Sequence, residues 1–104
     1  MKGIFMLTKK DIVRILQDNI EDIQAYGVKS IGIFGSFINF TQNRKSDIDI
    51  LVEFREGKKV FDNYIELKFY LEKLFHRKVD LVIKDALKPA IKQNVLKEVA
   101  YARV

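Results

Sequence analysis

The sequence predicts a small α+β domain, and three observations carry that prediction. Apolar residues recur at helical spacing in three stretches, short apolar runs rich in β-branched residues lie between them, and Gly or Pro punctuates several junctions. The 104 residues are 48% apolar and 32% charged with one Pro, which suits a single domain over residues 1–104 with one modest core. That composition excludes a disordered chain.

Thr8 followed by Asp11 reads as a capping box with Asp in place of the usual Glu, and Ile12, Leu16, Ile20 and Ile23 mark the inward stripe of a first helix. Gly27 stops it. Residues 29–34, Lys-Ser-Ile-Gly-Ile-Phe, are too short for a helix and read as a strand buried on both faces, ending abruptly at Gly35 and Ser36. Residues 37–46 begin apolar and turn polar, which predicts a helical turn and then a loop.

A second strand is predicted over residues 47–54, with Asp47 and Asp49 on one side and Ile48 and Ile50 on the other. Residues 55–59 form the following turn. Phe61, Tyr64, Leu67, Leu71, Leu74 and Phe75 predict the inward stripe of a second long helix, and His76, Arg77 and Lys78 place positive charge at its C-terminal end. Residues 78–83 predict a third strand that contains Asp80. Pro89 suits the first turn of a last helix, whose Ile91, Val95 and Val99 are predicted to face inward.

Composition also narrows the chemistry. With no Cys and one His, thiol catalysis, thiolate metal sites and disulfides are excluded, so any metal must sit mainly on oxygen. No apolar run is long enough to cross a membrane and the N-terminus lacks a signal peptide, so the cytoplasm is the expected compartment. A net charge of +5 suits a polyanion, a nucleotide or an acidic protein face. The basic residues are scattered through separate loops and helix ends, which argues against a nucleic-acid stripe. Arg44 and Lys45, just ahead of Asp47, are placed to steer a triphosphate.

Acidic residues are the odd feature, because Asp is depleted in strands and yet Asp47, Asp49 and Asp80 fall in or beside predicted ones. Two residues apart on a strand, Asp47 and Asp49 would lie roughly 7 Å apart on one face. Hard oxygen ligands of this kind suit Mg²⁺, and Asp80, if its strand pairs beside the first two, would complete a two-metal site for phosphoryl chemistry. Gly35 at a strand-to-helix turn would let backbone N–H groups approach a phosphate, with the Ser36 hydroxyl as a further donor. Read from the residues alone, acids opening a strand are equally ordinary turn chemistry, and Asp80 could simply pair with Lys78 or Arg77.

At these residues the sequence resembles the nucleotidyltransferases of the DNA polymerase β superfamily, whose signature is Gly-Ser, a short intervening segment, and Asp-x-Asp opening a strand. Here Gly35-Ser36 and Asp47-Ile48-Asp49 are separated by the ten residues 37–46. Residues 34–37 (Phe-Gly-Ser-Phe), 46–54 (Ser-Asp-Ile-Asp-Ile-Leu-Val-Glu-Phe) and 79–82 (Val-Asp-Leu-Val) look like the stand-alone branch of minimal nucleotidyltransferases, and the resemblance covers about residues 8–101.

The resemblance implies a small mixed β-sheet flanked by helices, the polymerase β-like fold. It implies an antitoxin that transfers AMP from ATP to a hydroxyl, that of a tyrosine, on a partner HEPN ribonuclease toxin and so neutralises it. On matching positions, Asp47 and Asp49 would bind Mg²⁺, two ions in all, with Asp80 as third carboxylate and base, while Gly35 and Ser36 would hold the nucleotide phosphates. The partner makes a hetero-oligomer, or a homo-oligomer, an expected state. Many relatives carry Ala-Arg-Gly where this sequence has Ile38-Asn39-Phe40. That departure motivates an alternative, an antitoxin of the same fold that blocks its toxin by binding alone; the net charge motivates another, a nucleic-acid-binding module.

Overall fold

In a computed structural model that describes residues 8–35, 47–57 and 60–103, the capping box forms as the sequence predicts. The Thr8 N–H donates to Asp11 Oδ2 at 3.0 Å and the Asp11 N–H donates to Thr8 Oγ1 at 3.1 Å. The predicted first helix is divided in two, α1 over Lys9–Asp18 and α2 over Ile20–Gln24. Asn19 causes the break. Its side-chain amide donates to the Ile15 carbonyl at 2.8 Å, the same carbonyl its own N–H reaches at 3.2 Å, and its backbone leaves helical geometry at φ −113°, ψ 19°.

Three strands form close to their predicted bounds: β1 over Val28–Phe34, β2 over Ile48–Phe54 and β3 over Val79–Ile83. Between β2 and β3 runs α3, Val60–Phe75, and after β3 come a 3₁₀ turn at Lys84–Ala86 and α4, Pro89–Glu98, with Pro at its start. A fourth strand that the sequence reading omits, β4 over Ala100–Tyr101, closes the sheet in the order β3-β2-β1-β4. The sheet is mixed: β2 and β3 are parallel, while β1 is antiparallel to both β2 and β4. This is the α+β arrangement expected from the sequence.

One face of the sheet carries the core. Ile12, Leu16 and Ile23 from α1 and α2, and Leu67, Leu71 and Phe75 from α3, pack on Ile31, Ile33, Ile48, Ile50, Val52, Val79 and Leu81. Two hydrogen bonds fasten α3 to β3: the Tyr64 hydroxyl donates to the Leu81 carbonyl at 2.8 Å, and the Val79 N–H donates to Glu72 Oε2 at 3.1 Å.

The parallel connections through α3 and α4 step towards opposite edges of the sheet, so both are right-handed only if those helices lie on opposite faces. In agreement, no α4 residue belongs to the core cluster, and Leu51, 1% exposed, stands outside it too.

Two predicted inward positions point outward. Phe61 is 76% exposed because, at about 100° per residue, it sits at the margin of the stripe centred on Leu71, in the first turn of α3. Ile91 is 52% exposed, and α4 buries no residue fully. Among the described residues no helix is long and apolar enough to cross a membrane.

Candidate active site

Alternation along β2 sets the chemistry of the sheet's second face. Ile48, Ile50 and Val52 are fully buried towards the helices, so Asp49, Leu51 and Glu53 look the other way, and Asp47 immediately before the strand continues the pattern. Asp47 is exposed and Asp49 half-buried.

Register then gathers the other residues. Asp49 is the Cα partner of Asp80 across the parallel pair and of Phe34 across the antiparallel pair, so Asp80, Asp49 and Phe34 form one lateral row on the second face. Neighbouring strands lie about 4.8 Å apart. The exposed Asp80 therefore stands beside Asp49, the juxtaposition that the third strand had to supply.

Gly35 completes the row. Its φ is +80°, a left-handed conformation, and a Cβ built on it would collide with Asp49 Oδ2 and lie 2.9 Å from Cγ. The chain thus turns away from β1 with its backbone pressed against the Asp49 carboxylate, and only Gly satisfies both demands. Ser36, the other predicted phosphate contact, and residues 37–46, including Ile38, Asn39, Phe40, Arg44 and Lys45, lie outside the described residues.

The donors on this face are carboxylates, as a hard cation requires. Among the described residues no group of three or more His, Asp or Glu is gathered closely enough to cage a metal. Mg²⁺ does not need such a cage, because it is commonly held by one or two carboxylates together with water and substrate phosphates. Asp49 and Asp80, adjacent in register, and Asp47 beside them fit that mode.

Further along the same face, Glu53 receives the Ser30 hydroxyl at 3.3 Å and pairs with Lys84 at 3.5 Å and Lys29 at 3.9 Å. This group belongs to the far end of β2, four residues from Asp49, and consumes Glu53 in structural contacts. The sequence reading does not single it out, since nothing local brings Lys84 to Glu53.

The sequence model of the nucleotidyltransferase domain matches residues 10–102, a span that contains Gly35 and all three aspartates. The chain belongs to the nucleotidyltransferase domain family. Protein adenylyltransferase MntA of Thermococcus cleftensis is 42% identical to this nucleotidyltransferase over 97 residues, covering 92% of this chain and 97% of that protein.

A solved toxin–antitoxin structure with AMP-PNP matches with a TM-score of 0.64 at 29% identity, over 91% of this chain and 72% of that one. A structure of the tri-AMPylated Shewanella oneidensis HEPN toxin in complex with MNT antitoxin matches with a TM-score of 0.54 at 25% identity, over 89% of this chain and 66% of that one.

Proposed function

We propose that this nucleotidyltransferase is an antitoxin acting over residues 1–104 as one catalytic domain, which transfers AMP from ATP to a tyrosine hydroxyl of a HEPN ribonuclease toxin in the cytoplasm. The observation that carries the reading is the register that sets Asp80 beside Asp49 while Gly35 lies against the Asp49 carboxylate. The adenylyltransferase relative and the complexes with AMP-PNP and with an AMPylated HEPN toxin supply the substrate classes.

Asp47, Asp49 and Asp80 would hold Mg²⁺, which when bound neutralises phosphate charge and orients the triphosphate. Gly35, lacking a side chain, lets the backbone approach the phosphates, and Ser36 adds a hydroxyl donor. Asp80, on the strand furthest from Gly35, takes the proton of the acceptor hydroxyl. The new bond joins the acceptor oxygen to the α-phosphorus, and the bond from that phosphorus to the bridging oxygen of the pyrophosphate breaks. Positioning and charge neutralisation supply most of the acceleration in such transfers.

The test is incubation of the protein with ATP labelled at the α-phosphate, Mg²⁺ and a HEPN toxin encoded beside it, with Asp49→Asn in parallel. Label on the toxin with the unaltered protein alone is the expected result. A stable complex that neutralises the toxin with no label in either sample would replace transfer by a contact mechanism.

A further inference from the structure

The acid-bearing face holds a second lateral row, two residues further along each strand. Val82 is the Cα partner of Leu51, Leu51 of Gly32, and Gly32 of Tyr101. Directly paired residues on neighbouring strands project to the same face, so Tyr101 shares its face with Asp49 and Asp80. Gly32 makes this pairing possible: a Cβ there would lie 2.8 Å from Val99 Cγ2 and 2.8 Å from the Ala100 carbonyl oxygen, so its absence lets β4 close on β1.

Tyr101 is 42% exposed. The other large exposed aromatics among the described residues, Phe61 and Phe69, belong to α3 on the opposite side of the sheet. Among the described residues the acid-bearing face carries two aromatic rings, Phe34, half-buried directly beside Asp49, and Tyr101, which is the more exposed and stands further from the acid row. Tyr101 stands two strands across and two residues along from Asp49, roughly 10 Å by 7 Å from ordinary strand spacings. That span matches a nucleoside monophosphate whose phosphate is at Asp49 and whose base reaches towards the β4 edge.

We propose that Tyr101 positions the nucleotide by stacking on its base. This deepens the reading of the acid row as a nucleotide site and rests on it. The acids and Gly35 address phosphate, which every nucleoside triphosphate shares, whereas the aromatic face of Tyr101 addresses the base through contact that its hydroxyl does not need. Tyr101 is a positioning residue, acting on substrate affinity rather than on proton transfer.

The experiment compares ATP with inorganic tripolyphosphate, which has the phosphates and no base, both with Mg²⁺. Tyr101→Ala is expected to raise the Kd for ATP about tenfold, within the range of one base–aromatic stack, and to leave the Kd for tripolyphosphate unchanged; Tyr101→Phe is expected to retain ATP affinity. Because the chain has no Trp, Tyr101→Trp introduces a single indole whose fluorescence ATP should quench and tripolyphosphate should not.

Unchanged ATP affinity in Tyr101→Ala overturns the stacking role and leaves the nucleotide site standing. Equal loss of both ligands overturns it in favour of a structural role. Failure of the unaltered protein to bind either ligand overturns the nucleotide reading and the inference together.

Discussion

The α-carbon of Gly35 is held so close to the Asp49 carboxylate that a methyl group on it would occupy the space of Oδ2. Substitution there has two separable costs, the strain of φ +80° and the displacement of Asp49. Gly57 shares only the first: its φ is +83° and, among the described residues, nothing lies within 4 Å of where its Cβ would be. Gly57→Ala should lower stability by about 1 kcal/mol and keep full transfer activity. Gly35→Ala should cost more stability and also lose AMP transfer. Thermal melts beside transfer rates on the two variants check this, and equal activity in both would show that Asp49 tolerates displacement.

Asp49 and Asp80 share the metal assignment, but Asp80 alone also takes the proton while Asp47 and Asp49 can still hold the ion without it, so their amides should fail differently. Asp49→Asn should weaken Mg²⁺-dependent ATP binding, whereas Asp80→Asn should keep most of that binding and slow transfer by about 10²-fold or more, the contribution typical of a general base. Calorimetric ATP titration separates them from single-turnover rates.

Gly32→Ala tests the seat of β4. Its methyl would meet Val99 and the Ala100 carbonyl, each 2.8 Å away, and backbone has little room to give. The expected loss is about 1–3 kcal/mol, with hydrogen exchange at Ala102, whose N–H donates to the Ile31 carbonyl at 2.9 Å, rising before that of β2.

Asp11 gives the helix start a pH dependence. The Thr8 backbone N–H holds its carboxyl below the ordinary value; burial opposes this, and the Thr8 hydroxyl and Arg14 add smaller effects in the same direction as the N–H. A carboxyl whose pKa is lower when folded stabilises the fold above its unfolded pKa, and that contribution disappears as pH falls through the folded pKa. Asp11→Asn should therefore flatten the acid limb of the melting curve below about pH 4, while Thr8→Ala should cost about 1 kcal/mol at neutral pH.

Much of this site is legible in one dimension. The Thr8–Asp11 cap is a local pattern, and the alternation of Asp47 and Asp49 with Ile48 and Ile50 assigns their faces without tertiary information. The pairing of Asp80 with Asp49 is not local, because it depends on how far α3 carries the chain before β3 begins. The break at Asn19 arises from competition between a side-chain amide and the backbone for one carbonyl, a contest that apolar periodicity does not register. Ala100 and Tyr101 form a strand too short for any alternation to show, held by an edge partner rather than by its own pattern. Phe61 belongs by spacing to the α3 stripe and by angle to its margin, and the sheet covers only the centre.

The two hydrogen bonds between α3 and β3, from Tyr64 to Leu81 and from Val79 to Glu72, bear on what this stretch of chain can tolerate. Were β3 to slip by one residue, Val79 would come to stand beside Asp49 and Asp80 would rotate towards Leu67 and Leu71, beneath the helices. Side chains on the outer surface of α3 are therefore free to change identity, but the number of residues between Glu72 and Val79, whose hydrogen bond fixes the start of β3, is constrained. A residue inserted within β3 ahead of Asp80 should be far more damaging than one inserted in the exposed turn at residues 55–57, which can loop out.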